Sequence, residues 1–198
     1  NEEDVSVVFE LTLKDLTADG KILVQDFIDR ADLLSSLGYT VMVSNYLKHY
    51  KMVEYLAPIV RGKLIGVILG VYNLNTIFDE KYYENLPGGL LEAFGRGFGH
   101  NMTLYVYPAL NVEDGEIYDL DNIEIAPNLV GLLKHMRDNN KMKPIKHFNP
   151  KLLHIMSDDV LSKIRAGASS WEDDVPESVG KAIKFYKLFG YQKKGVKV

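Results

Sequence analysis

Three apolar runs in this chain each close on small, polar or aromatic residues: Val41-Met42-Val43-Ser44-Asn45, Leu64-Ile65-Gly66-Val67-Ile68-Leu69-Gly70 and Met102-Thr103-Leu104-Tyr105-Val106-Tyr107-Pro108. Helical spacing fills the two intervals between them. Strands covered on both faces need no polar alternation, so short continuous apolar runs separated by helices read as a parallel sheet with crossover helices. Such sheets bind ligands beyond the carboxyl ends of their strands, here at Ser44, Asn45 and Tyr46, at Tyr72 and Asn73, and at Tyr107. The pattern specifies a place and not a reaction.

The rest of the chain extends the same order. Residues 5–13 are rich in β-branched and apolar side chains and read as a first strand, followed by a polar turn over 15–21 that contains Asp19-Gly20. Val24, Phe27, Ile28, Ala31, Leu34 and Leu37 recur at helical spacing, and Gly38 supplies the stop. Strands are expected over 40–44, 63–69 and 102–107, and helices over 46–60 and 90–98, with a helical or 3₁₀ stretch over 73–85 that Pro87-Gly88-Gly89 breaks. Right-handed crossovers would stack this β-α-β-α-β-α-β order as a three-layer α/β sandwich, Rossmann-like, with a mostly parallel sheet of four or five strands. Residues 110–126 hold six acids and read as a long loop or hairpin; a helix over 127–139 and a short segment over 142–148 would add the fifth strand. Beyond Asn149 the pattern turns to short helices, 158–166 and 176–189, the second with Pro176 at its start and Val179, Ile183 and Tyr186 as one apolar stripe. The expected organisation is an α/β domain over 1–148 with a helical C-terminal extension over 149–198 packed on it as one structural unit.

With 198 residues, 46% of them hydrophobic and 25% charged, the chain can bury one sizeable soluble core. A net charge of -4 gives no basic field for nucleic acid, and Lys187, Lys193, Lys194 and Lys197 at the end read as a solvated terminus. The absence of cysteine excludes disulfides and thiolate chemistry. No apolar run approaches the ~20 residues of a membrane helix and no signal-peptide pattern opens the chain, so the expectation is a cytoplasmic protein without a membrane partner. The opening Asn1-Glu2-Glu3-Asp4 is read as the start of a piece of a longer protein. Neither a cofactor nor an oligomeric state is legible.

Candidate chemistry is sparse. Asp15, Thr17, Asp19, Gly20, Ile22 and Asp26 occupy positions 1, 3, 5, 6, 8 and 12 of a calcium loop, with oxygen ligands alternating and a glycine at the bend. Position 12 is Asp rather than the bidentate Glu, and an Asp-Gly turn before a helix explains the same residues without metal. Gly95-Arg96-Gly97-Phe98-Gly99 closes a helix instead of opening one, so it reads as a helix stop with close packing and not as a phosphate loop. The five histidines, His49, His100, His135, His147 and His154, form no ligand pair and read as surface or capping residues. No nucleophile elbow surrounds Ser44, which with Asn45 reads as a strand-ending cap. Tyr46, Tyr50, Tyr72 and Tyr107, with Asn45, Asn73 and Asn75, would line an amphipathic rim suited to a small molecule.

Two resemblances add to this. Val7-Val8-Phe9-Glu10-Leu11-Thr12 followed by Asp19-Gly20-Lys21-Ile22, with Val41-Met42-Val43-Ser44-Asn45 downstream, resembles the opening of haloacid-dehalogenase-like phosphatases. That family implies an Asp nucleophile and an Asp acid/base two residues later, where this chain has Glu10 and Thr12. A Glu nucleophile is one methylene too long for a fixed in-line geometry, and Thr12 cannot act as the acid. The resemblance therefore implies a fold relative without that chemistry, with Glu10 and Ser44 as the remaining catalytic candidates.

The second resemblance spans 26–108. Asp29-Arg30 leading to Gly38-Tyr39-Thr40-Val41-Met42-Val43-Ser44-Asn45-Tyr46, Phe78-Asp79-Glu80-Lys81-Tyr82-Tyr83, the run over 88–96 and Leu104-Tyr105-Val106-Tyr107-Pro108 look similar to an uncharacterised bacterial family. Trp171-Glu172 and Leu188-Phe189-Gly190-Tyr191 look similar too. Its members carry labels such as nicotinate-nucleotide adenylyltransferase or TonB-dependent receptor. The first needs a His-x-Gly-His phosphate motif, which is missing here, and the second an outer-membrane β-barrel pattern, also missing. Three function classes follow: a small-molecule-binding or regulatory module of a larger protein, an enzyme acting on a nucleotide or phosphorylated metabolite, and a structural or assembly module.

Overall fold

The structure, a computed structural model, describes residues 5–13, 17–18, 21–22, 24–111 and 114–192. It is a mixed α/β chain whose principal strand pairings are parallel. Contacts divide it into two compact units, residues 1–47 with 155–198, and residues 48–154.

In the first unit, β1 (Val8–Thr12) pairs in parallel with β4 (Thr40–Ser44), in a register that sets Glu10 beside Met42 and Thr12 beside Ser44. Between them lie β2 (Thr17–Ala18) and β3 (Lys21–Ile22), an antiparallel pair, and the crossover helix α1 (Val24–Ser36). Gly38 takes a left-handed φ of 82°, open to glycine at no steric cost, and turns the chain from α1 into β4. The unit is completed by α6 (Ser157–Arg165), a 3₁₀ turn over Ser170–Asp174, α7 (Glu177–Tyr186) and a second 3₁₀ turn over Leu188–Gly190. Ile164, Trp171 and Ile183 form its buried centre, with Leu33, Val160, Val175, Val179, Phe189 and Tyr191 packed around them.

The second unit opens with α2 (His49–Val60), which starts three residues later than its apolar spacing predicts because residues 45–48 form the turn out of β4. Next come β5 (Ile65–Gly70), the short helix α3 (Asn73–Ile77), a 3₁₀ turn over Glu80–Tyr83, α4 (Gly89–Phe98) and β6 (Met102–Tyr107). The acidic stretch forms a hairpin of β7 (Ala109–Leu110) and β8 (Ile117–Tyr118), and α5 (Val130–Asp138) leads to β9 (Met142–Pro144). Strands β5, β6 and β9 are parallel and lie in that order, so the expected extra strand exists. The apolar face of α4 and strand β6 contribute Leu90, Phe94, Leu104 and Val106 to the core.

Strand existence and direction agree with the pattern of apolar runs, but the five parallel strands pair as sheets of two and three. Among the described residues, β6 is the strand buried along most of its length. In β5, Ile65 and Val67 are buried while Ile68 is 66% exposed, so this strand alternates despite its continuous apolar sequence. The stripe on α7 also stops short: Ile183 is buried, Tyr186 is 54% exposed. The helix ends there with Lys187 in a left-handed cap, and Leu188 takes the buried place instead. No helix among the described residues is long and apolar enough to cross a membrane.

Candidate functional site

The carboxyl end of the β1–β4 pair gathers three polar side chains on one face. Glu10 and Thr12 are two apart on β1 and so point the same way, and the parallel register brings Ser44 level with Thr12. The Ser44 hydroxyl donates to Glu10 Oε1 at 2.5 Å, and the Thr12 hydroxyl donates to both carboxylate oxygens, at 2.8 and 2.9 Å. Ser44 Oγ in turn accepts the backbone N–H of Tyr46 at 3.1 Å, a turn of the kind serine makes where a strand ends. The strand-ending role expected of Ser44 and its convergence with Glu10 are therefore parts of one network. Ser44 is buried, Glu10, Thr12 and Tyr46 are half-buried, and Asn45 is exposed.

The remaining rim residues belong to the second unit and stand at the ends of β5 and β6. There Gly70 pairs with Tyr107, and the Val71 N–H continues the ladder by donating to the Tyr107 carbonyl at 2.8 Å. Tyr72 lies against Tyr118 and Tyr107 against Phe148, with ring centroids 6.2 and 6.4 Å apart, while the Asn73 amide donates to the Gly70 carbonyl at 3.3 Å. Tyr72 and Tyr107 thus each spend part of a ring on an aromatic neighbour yet stay 42% and 38% exposed. The six rim positions form two clusters, one in each unit. The first also holds the Glu10 carboxylate.

Of the calcium-loop residues, Asp15 and Asp19 lie outside the described residues and Thr17 stands in β2. Asp26, in the first turn of α1, holds Arg165 Nη2 at 2.7 and 3.0 Å. No group of three or more metal-ligating side chains occurs among the described residues. Lys193, Lys194 and Lys197 also lie outside them.

Sequence reasoning missed two polar anchors and one member of the cluster. Asp29, buried on α1, accepts the Phe189 N–H and the Gln25 side-chain amide, the latter at 2.7 Å, and so ties the last 3₁₀ turn to the first helix. Lys48 donates to the Tyr82 carbonyl and to Asn85, and its ammonium lies 5.1 Å over the Tyr82 ring. Nothing local marks either residue. Thr12 was legible in principle from its two-residue spacing to Glu10.

Two concavities lie elsewhere. An open groove of about 700 Å³ runs along α7, lined by Leu37, Lys184, Phe185, Tyr186 and Tyr191 among others. A cavity of about 30 Å³ lies beneath Tyr50, Tyr83 and Phe94. Neither includes Glu10 or Ser44. No protein-family model, curated protein or solved structure matches the chain.

Proposed function

We propose that this chain is a small-molecule-binding or regulatory module whose ligand is received at the carboxyl end of the β1–β4 pair, on Glu10, Thr12 and Ser44. The observation that carries the reading is the carboxylate held by two side-chain hydroxyls where parallel strands end. Partly burying a carboxylate costs solvation that an apolar residue would not lose. A cluster held at that cost, in the position where α/β sheets take ligands, is better explained by binding than by stability. The module reading carries with it the Rossmann-like sandwich architecture, the bacterial origin and the cytoplasmic setting expected from the sequence.

One observation favours a second reading, an enzyme acting on a nucleotide or phosphorylated metabolite. Glu10 is within reach of the Ser44 hydroxyl as a general base must be. Ser44 is only 7% exposed, however, and its oxygen already accepts the Tyr46 N–H, so its approach to a substrate is closed on two sides. Binding is the reading that needs no rearrangement.

A thermal-shift screen of the whole chain with nucleotides, sugars, amines, sugar phosphates and divalent ions tests it. A ligand at about 100 times its Kd stabilises the native state by about 2.7 kcal/mol, a plain rise in melting temperature. At least one class is expected to raise it, and Glu10→Gln to abolish that rise. A screen in which nothing moves the transition overturns the binding reading, and product formation in the presence of a stabilising ligand would favour the enzyme.

A further inference from the structure

We infer that the ligand group seated on Glu10 is a protonated amine, an assignment that rests on the binding reading above. It follows from counting donors and acceptors at the strand ends. A hydroxyl has one proton to give, and a carboxylate has none. Ser44 gives its proton to Glu10 Oε1, and Thr12 gives its own to the same carboxylate. The Tyr46 N–H is spent on Ser44 Oγ. The hydroxyl protons of Ser44 and Thr12 and the Tyr46 N–H are therefore spent inside the cluster. What the three side chains still offer is lone pairs, on both carboxylate oxygens and on the two hydroxyls, together with one negative charge that forms no ion pair among the described residues.

That inventory sorts the ligand classes. A phosphate or carboxylate would meet a like charge and no free proton on Glu10, Thr12 or Ser44. A neutral hydroxyl matches the hydrogen bonds but leaves the charge of a half-buried carboxylate unanswered. A divalent cation matches the charge but needs six or more oxygen ligands or a shell of its own waters, and no group of three or more metal-ligating side chains occurs among the described residues. A primary ammonium brings the opposite charge and three donors on one compact head. It suits a site made only of acceptors, and the half-buried setting strengthens the charge-assisted bonds it would form.

The test is an NMR titration of the whole chain, following the backbone amide signals of Thr12, Ser44 and Tyr46. The probes are ethanolamine, its neutral counterpart ethylene glycol, inorganic phosphate and magnesium chloride, at matched ionic strength and neutral pH. Ethanolamine is expected to move these signals saturably, and Glu10→Gln to weaken its binding by about tenfold or more, the loss of one charge-assisted hydrogen bond. Thr12→Val, which keeps the charge and removes one acceptor, is expected to weaken it about threefold to tenfold. Should Glu10→Gln lose its dispersed spectrum, Thr12→Val decides. Equal binding of ethylene glycol, or undiminished ethanolamine binding in both variants, overturns the amine assignment. Saturable shifts from phosphate or magnesium but not from ethanolamine overturn the amine and leave the strand-end site standing. Silence of all four probes at these signals, together with a thermal screen in which nothing binds, overturns both.

Discussion

The Tyr83 hydroxyl is buried and gives its proton to the Ile77 carbonyl at 3.1 Å. Burial pushes this phenol well above its ordinary 10.0, and the neighbouring Tyr82, Tyr50 and Asp79 push it the same way. In the unfolded chain it returns to the ordinary value, so the folded state keeps a proton that the unfolded state gives up in alkali. The stability this proton confers is full below pH 10 and drains away as pH rises through the gap between the two values. Urea midpoints between pH 7 and pH 11 are expected to fall more steeply for the native sequence than for Tyr83→Phe. The variant should lose about 1 kcal/mol at neutral pH, the contribution of one buried hydrogen bond. Parallel curves for the two proteins would show that Tyr83 does not titrate in this way. At this scale the Glu10–Ser44 meeting was legible because parallel pairing of two strand ends forces it. The clamps of Asp29 and Lys48 were not, since each joins residues separated by tens of positions with no local signature.

The C-terminal half of helix α4 carries two glycines whose roles the spacing cannot tell apart but whose surroundings can. An added Cβ on Gly95 meets nothing within 4 Å and faces solvent; on Gly97 it would stand 3.1 Å from Tyr50 Cβ and 3.4 Å from Tyr50 Cα on α2. Helix propensity alone favours alanine over glycine by up to about 1 kcal/mol at either site. At Gly97 that gain is opposed by overpacking against atoms at or next to the α2 backbone, which cannot swing aside, and overpacking costs about 1–3 kcal/mol. Gly95→Ala is therefore expected to raise the melting temperature and Gly97→Ala to lower it, as differential scanning calorimetry on the two variants would show. A rise in both would mean that α2 and α4 approach less closely than the structure has them. The glycine run does close the helix, which ends at Phe98, but the close packing expected of it holds at Gly97 and not at Gly95. Element ends were less legible. The start of α2 depends on the Ser44 turn, and the end of α7 depends on Lys187 adopting a left-handed cap that no residue type announces.

Across the described residues, periodicity tells where the strands run but neither how deeply each is buried nor which strand lies beside it. That is why five parallel strands could be anticipated and their partition into sheets of two and three could not. The partition goes with two separate buried clusters, one around Trp171 and Ile183, the other around Leu74, Leu104 and Val106. Trp171 is the single tryptophan of the chain and is 1% exposed, so its emission reports the first cluster alone. Leu74 is fully buried in the second, where truncation to alanine removes contacts worth about 2–5 kcal/mol. Each cluster draws all its members from one unit, so the loss is expected to stay in the unit that suffers it. In urea, Leu74→Ala should lower the midpoint followed by far-UV circular dichroism and leave the Trp171 emission midpoint where it was. Ile183→Ala should lower the Trp171 emission midpoint by a comparable amount and move only the part of the circular dichroism transition that comes from α1, α6 and α7. If either variant shifts both signals equally, the chain unfolds as one cooperative unit and the two cores share their stability.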